Sequence, residues 1–209
     1  RSVGNTKAIR MDNGTAATDA SSAYWNNTDP TSTHFTVGTH EDINTTANSR
    51  SYVAYVFAHD SQVFGTDEDE SIIKCGSYTG NGSSTGPVID LGFEPQWWMI
   101  KRTDAVDTWG MYDSMRGAQD VLRADSTSTE VSTASFKIDL LANGFQPTSN
   151  DNGVNASGGT YVYMAIRRPN KPPTAGTDVF FLKASTENAA NSLTPGFVPD
   201  FFIYTRYFF

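Results

Sequence analysis

The sequence predicts an all-β protein built from tandem β-sandwich or jelly-roll modules. Three observations point there: an internal repeat, short apolar runs rich in aromatic and β-branched residues, and turn residues between those runs. No long apolar stripe with helical period is present. The one helix-like stretch is short, from Ser114 to Arg123.

The repeat sets the organisation. Gly92-Phe93-Glu94-Pro95-Gln96-Trp97-Trp98-Met99-Ile100-Lys101-Arg102 returns 104 residues later as Gly196-Phe197-Val198-Pro199-Asp200-Phe201-Phe202-Ile203-Tyr204-Thr205-Arg206. Aromatic replaces aromatic, and Gly-Phe-x-Pro is kept. Tyr52-Val53-Ala54-Tyr55-Val56-Phe57 is matched at offset 109 by Tyr161-Val162-Tyr163-Met164-Ala165-Ile166. Shorter matches keep the same order: Ile43-Asn44 with Val154-Asn155, Phe35-Thr36-Val37 with Phe136-Lys137-Ile138, and Ile9-Arg10-Met11-Asp12 with Leu122-Arg123-Ala124-Asp125. The modules are therefore roughly 105 residues long. Residues 1–60 read as the C-terminal half of one module, 61–172 as a complete module with its linker, and 173–209 as the start of a further one. The polypeptide is expected to continue in both directions.

Within this frame Tyr52–Phe57, Trp97–Ile100 and Tyr161–Ile166 read as strands, near-continuously apolar and so buried on both faces or central in a sandwich. Pro95 marks the start of its strand, because proline cannot donate to the ladder. Residues 80–84, Asn143-Gly144, Asn152-Gly153 and residues 157–159 supply turn chemistry with access to positive φ. Pro169-Asn170-Lys171-Pro172-Pro173 reads as a stiff linker.

Composition narrows the function. The 209 residues carry 15 basic and 23 acidic side chains, a net charge of −8. That balance argues against nucleic acid as the main partner, since phosphate binding needs clustered cations. The only clusters are Lys101-Arg102 and Arg167-Arg168 with Lys171. No run of about 18 apolar residues exists, so no membrane insertion is expected. Cys75 stands alone in a strand-like run and reads as a small buried hydrophobe.

Site chemistry is sparse. His34, His40 and His59 lack a metal-ligand spacing. The acidic run Asp67-Glu68-Asp69-Glu70 reads as a solvated loop and is the first place to look for calcium. Asp90, Asp104, Asp107 and Asp113 could furnish a carboxylate pair for glycoside hydrolysis, but spacing alone does not place two of them across a sugar. No nucleophile elbow and no phosphate-cradling loop occurs. We therefore expect no catalytic residues, metal or cofactor, and no enzymatic activity. Trp97, Trp98, Trp109 and Tyr112, with Trp25, are the candidate ligand-binding residues, because exposed aromatics stack on sugar rings. Trp97 and Trp98 are adjacent on one strand and must face opposite sides. The same holds for Phe201 and Phe202.

The order Gly-Phe-x-Pro-x-Trp, Ile100–Thr103, Trp109, Tyr112-Asp113-Ser114-Met115-Arg116-Gly117 and Asn155–Tyr163 resembles a repeated module of tailed-phage virion proteins, found in cyanophages and other marine phages as tail-fibre or structural proteins. Residues 64–80 and Ile166-Arg167-Arg168-Pro169 share the resemblance. It implies location in the virion and repeated, lectin-like β modules. It also implies a homo-oligomer, a trimer by analogy with fibres, contacting other virion proteins and host-surface glycan. It carries over no catalytic residue. The alternatives are a carbohydrate-binding module of a surface protein and a polysaccharide-degrading spike.

Overall fold

The computed structural model describes residues 3–19, 21–45, 50–57, 71–132 and 134–168. In chain order the elements are β1 (Lys7–Ala8), β2 (Thr18–Asp19), α1 (Ser21–Trp25), β3 (Ile73–Thr79), β4 (Ile89–Asp90), β5 (Pro95–Arg102), β6 (Trp109–Asp113), β7 (Asp120–Arg123) and β8 (Val131–Ser132). A 3-10 turn (Ala134–Phe136), β9 (Ile138–Leu141), β10 (Gly144–Pro147), α2 (Asn152–Asn155) and β11 (Thr160–Arg167) follow. The chain divides into two compact units, residues 1–170 and 171–209. The second unit, with Phe201 and Phe202, lies outside the described residues, as do His59, the acidic run 67–70 and the prolines of the linker.

The expected all-β architecture is present as antiparallel sheets. Six strands run in the order β3-β11-β5-β6-β7-β8, and three in the order β4-β10-β9. Pro95 opens β5 as expected. The longest strand pairings join β11 to β3 and to β5, with Tyr161 opposite Arg102 and Ala165 opposite Trp98 across β5. On β11 the odd-numbered pleat is buried, with Tyr161, Tyr163 and Ala165 between 0 and 9% exposed. Val162, Met164 and Ile166 on the even-numbered pleat are half-covered. The strand is thus core-facing on one side rather than buried on both.

The core between the two sheets is aromatic. Trp98 lies 5.5 Å from Tyr112 and 5.9 Å from Phe145, with ring planes within 8° and 14°. Tyr163 meets Phe145 edge-on at 5.6 Å, and Tyr78 stacks on Tyr161 at 4.9 Å. Phe145 belongs to the three-stranded sheet and the other five to the six-stranded one, so the rings join the layers. Ile89, Ile138, Val121 and Val154 fill the remainder. Gly76 makes the packing possible: a Cβ there would lie 2.4 Å from the Tyr163 hydroxyl, so the ring rests over bare backbone on the neighbouring strand.

Loops are held by a buried amide. Asn155, with no exposed surface, accepts from Asn81 N and donates to Ser83 O and Ser149 O through Nδ2. It sits in α2, whose first turn is capped by the Asp151 side chain accepting from Gly153 N. A short helix therefore replaces the turn expected at Asn152-Gly153. The β9–β10 hairpin turns at Ala142-Asn143 without positive φ, whereas Gly82 and Gly158 adopt it in the other two expected turns.

The sequence contains a buried cation that was not anticipated as such. Lys101 on β5 has no exposed surface, and its Nζ donates to the carbonyls of Gly14, Arg102 and Asp107 at 3.1, 2.8 and 2.9 Å. Three donors meet three acceptors, which satisfies the ammonium where water cannot reach. Burial pulls its pKa down, against the pull of Asp107 and Asp125. The contact ties residues 14–17 to the sheet, with Ala17 N donating to Thr103 O and Asp107 N to Gly14 O.

Two expected elements differ. Ser114–Arg123 is not helical: residues 114–119 turn, and β7 begins at Asp120. Asp113 drives the turn, accepting from Met115 N and Arg116 N. Tyr52–Phe57 forms no strand, and Val53, Tyr55 and Val56 are 79, 83 and 73% exposed. A strand needs a neighbour, and among the described residues this run has none.

Tyr112 OH and Trp98 Nε1 are buried without a hydrogen-bond partner among the described residues. Each such group costs about 1–3 kcal/mol. Tyr112→Phe should therefore leave stability unchanged or raise it, whereas Phe145→Ala should cost about 3–5 kcal/mol. Urea unfolding monitored by tryptophan emission measures both. A clear loss of stability in Tyr112→Phe would contradict this description of the core.

Candidate functional site

The aromatic residues singled out in the sequence separate into two groups. Trp98 and Tyr112 have no exposed surface and belong to the core. The expectation that they meet a ligand does not hold, because the even pleat of β5 and β6 faces the second sheet. Trp97 and Trp109 lie on the opposite pleat and are half-exposed, Trp97 opposite Asp113 and Trp109 opposite Lys101. Between them runs a row of Met111, Met99, Met164 and Cys75 across β6, β5, β11 and β3. Trp109 Nε1 donates to Arg10 O at 2.8 Å, which places Arg10 beside it.

Arg10 leads to an open groove of about 390 Å³ lined by residues 8–12, Tyr24, Trp25, Asp42 and Ile43. Local structure positions each wall. The β1–β2 ladder, with Lys7 opposite Asp19, precedes α1, which carries Tyr24 and Trp25 in its last two positions. Asn26 and Asn27 both take φ of 51° and end the helix, a conformation asparagine tolerates. The chain returns under α1: Gly38 N donates to Tyr24 O, and His40 N to Ala23 O. A Cβ on Gly38 would lie 2.1 Å from Ser22 O, so only glycine admits this approach. Trp25 is fixed by its indole N–H donating to Lys7 O at 2.9 Å.

The polar wall is a chain of charges. Arg10 Nε donates to Asp12 Oδ1 at 3.3 Å, and its Nη2 lies 3.5 Å from Asp42 Oδ2. Tyr24 OH donates to the same Asp42 oxygen at 2.9 Å, and His40 stacks on the Tyr24 ring at 4.2 Å. Burial, then the hydrogen bond to Asp42 and its charge, raise the Tyr24 pKa above its ordinary value. The hydrogen bond and charge of Asp12, then the charge of Asp42, raise that of Arg10. One guanidinium holding two carboxylates is suited to presenting fixed acceptors and donors beside an aromatic wall.

The other carboxylates considered from sequence are engaged separately. Asp90 accepts from Gly92 N, and Asp107 from Thr108 N. Asp104 receives Arg102 Nε at 3.0 Å and Thr160 N at 3.1 Å, and the Arg102 hydrogen bond leads in lowering its pKa. Asp113 receives Arg116 Nε at 2.5 Å. Burial pushes Asp113 up, but the backbone and side-chain donors of Arg116 outweigh it and the net shift is down. His34 Nδ1 shares a hydrogen bond with Thr31 Oγ1. Cys75 is half-buried in β3. Among the described residues no group of three or more His, Cys, Asp or Glu is placed to hold a metal, and no helix is long and apolar enough to cross a membrane.

Lys101, Arg102 and Arg168 of the basic clusters are held by groups of the chain itself. Arg102 pairs with Asp104, and Arg168 Nη1 lies 2.7 Å from Glu94 Oε1. Sequence reasoning noted Trp25 but missed Tyr24, Arg10, Asp12 and Asp42 as its neighbours. Adjacent aromatics at Tyr24-Trp25 and the Arg-x-Asp of residues 10–12 were the available signals. Their convergence depends on the fold of α1 and the return at Gly38.

The sheets and groove define a β-sandwich domain with an aromatic, charge-lined surface cleft. The chain belongs to the family described as Domain of unknown function (DUF7483), which matches residues 1–169. That match spans both the groove-bearing N-terminal residues and the sandwich. Neither the curated proteins nor the solved structures include a match to this chain.

Asp42→Asn should bring the Tyr24 phenol back toward its ordinary pKa of about 10. The sign follows from linkage: a phenol with raised folded pKa contributes stability that is present below about pH 10 and lost as pH rises through the folded value. A difference titration by tyrosinate absorbance, variant against parent, measures the change. Superimposable curves would show that Asp42 does not hold the Tyr24 proton.

Proposed function

We propose that the chain is a non-catalytic attachment module of a tailed-phage virion, carried on a tail fibre, another appendage or the particle surface. Its work is to bind host-surface glycan, with repeated sandwich modules of about 105 residues and homo-oligomerisation supplying avidity. The resemblance of the repeated Gly-Phe-x-Pro strand motif to virion modules supports the location and the tandem, lectin-like arrangement. The observation that carries the binding is the groove at Arg10, Asp12, Tyr24, Trp25 and Asp42.

The chemistry fits a sugar. A pyranose offers an apolar C–H face and a rim of hydroxyls. Trp25 and Tyr24, 6.3 Å apart and tilted by 50°, supply an aromatic wall, and the carboxylates and guanidinium supply acceptors and donors. Exposure of the groove makes each contact weak, since solvent screens it. Weak single sites are what a repeated, multivalent appendage uses.

The 209-residue chain, screened on an array of bacterial surface glycans, should bind a defined subset. Trp25→Ala should weaken binding at least tenfold, about 1.4 kcal/mol, while Trp97→Ala leaves it unchanged. Absence of glycan binding, or loss in Trp97→Ala instead, would overturn the assignment. Labelling of purified particles with an antibody to the chain tests the virion location independently.

A further inference from the structure

Three charged side chains line the groove: Arg10, Asp12 and Asp42. One guanidinium meets two carboxylates, so one negative charge is left over. The neighbouring cations among the described residues do not cancel it. Lys7 takes the exposed side of β1, while Ala8 on the other side lines the groove. Arg50 Nη1 lies 3.3 Å from Glu41 Oε2 and is held there. His40 Nδ1 accepts from Asp42 N, so that nitrogen does not donate to the carboxylate beside it.

The groove's own cation is stretched between its partners. Arg10 reaches Asp12 at 3.3 Å and Asp42 at 3.5 Å. Elsewhere in the same molecule a guanidinium closes to 2.7 Å, at Arg116–Glu130 and at Arg168–Glu94. That shorter distance is the range of a full charge-assisted hydrogen bond. Arg10 gives such a bond to neither carboxylate, and both keep acceptor capacity towards solvent, their side chains being 64 and 40% exposed. Tyr24 OH, Arg10 and His40 all approach the same oxygen of Asp42, Oδ2. Beside these carboxylates stands Trp25, the side chain whose ring face attracts a cation most strongly. His40 already covers one face of Tyr24 at 4.2 Å, which leaves Trp25 as the main aromatic surface.

We propose that the sugar unit held in this groove carries a free ammonium group, as a non-acetylated amino sugar does; the inference rests on the glycan binding proposed above. The ammonium supplies the cation that two carboxylates and one guanidinium leave wanting, and the pyranose ring covers Trp25. Acetylation of the amine removes the charge and leaves a single N–H donor. A uronic acid brings a third carboxylate to Asp12 and Asp42, and like charges in contact oppose binding. The groove therefore selects by charge as well as by shape, in favour of amino sugars and against acidic ones.

Oligomers of glucosamine, N-acetylglucosamine and glucuronic acid, matched in length, are titrated calorimetrically into the 209-residue chain. Glucosamine should bind roughly tenfold tighter than its acetylated counterpart, with the acidic oligomer weakest. Asp12→Asn and Asp42→Asn should each remove most of that preference and spare binding of the acetylated oligomer. Trp25→Ala should weaken both. Asp139→Asn removes an exposed carboxylate on β9, away from the groove, and should change nothing. An acetylated oligomer that binds as tightly as the amine, with loss in Trp25→Ala, leaves glycan binding at the groove standing and overturns the preference for an ammonium. Glycans selected on the array that lack a free amine overturn it likewise. Glucosamine binding that persists in Trp25→Ala, or falls equally in Asp139→Asn, is general attraction to an acidic chain and also overturns it. Failure of every oligomer together with an empty array removes the glycan function itself. Unchanged circular dichroism establishes that the variants are folded.

Discussion

Trp98 shares near-parallel ring planes with Tyr112 of its own sheet and Phe145 of the other, and the sandwich depends on that contact. Aromatic side chains bury more apolar area than any others, so a few of them can hold two sheets together in a chain of only 38% hydrophobic residues. The arrangement has a cost, because Trp98 Nε1 and Tyr112 OH enter the core without partners among the described residues. It also constrains the neighbours: Gly76 stays bare to admit Tyr163. Tyr161 directs its hydroxyl to Asn152 O, beneath α2, where the loops gather around Asn155.

On the opposite pleat of the same strand a different interaction connects the sandwich to the groove. Lys101 places a charge where apolar side chains would be expected, and the carbonyls of Gly14, Arg102 and Asp107 make that tolerable. A hydrocarbon at this position could pack but could not hold the polypeptide at Gly14. Trp109, next to it across β5 and β6, adds a hydrogen bond to Arg10 O. The groove thus rests on the sheet through the side chains of Lys101 and Trp109 on backbone carbonyls and through the Ala17–Thr103 and Asp107–Gly14 backbone hydrogen bonds, none of which depends on the side chains presented in the groove itself. The Arg10, Asp12 and Asp42 network can vary in sequence without disturbing what holds it.

Much of the fold was legible because strand patterning is local. Pro95 and the alternation through Trp97 and Trp98 located β5 and implied its two faces, and Tyr161–Ile166 located β11. The reading failed where partners decide structure. Tyr52–Phe57 has the same local pattern as β11 but no strand beside it among the described residues, so propensity alone does not make it a strand. Ser114–Arg123 read as helix-like, but the Asp113 side chain, accepting from Met115 N and Arg116 N, turns the chain instead. The site was less legible than the fold. Trp98 and Tyr112 carry the same chemistry as Trp25 and Tyr24, and only their place in the fold, the inward pleat of β5 and β6 against the short helix α1, separates core from surface. Lys101 read as half of a basic cluster, since burial of a lysine is set by three carbonyls that no sequence motif announces.

The four tryptophans give a direct reading of the glycan binding proposed for the Trp25 groove. Their indole N–H groups occupy distinct environments: Trp25 on Lys7 O, Trp109 on Arg10 O, Trp98 buried without a partner and Trp97 on the half-exposed pleat. Nitrogen-15 labelled chain, titrated with a glycan selected from the array, reports which of the four resonances moves. A groove-centred shift, largest at Trp25, smaller at Trp109 and absent at Trp98, is the result the account predicts. Movement of the Trp97 resonance alone would place the ligand on the outer face of the large sheet and contradict it.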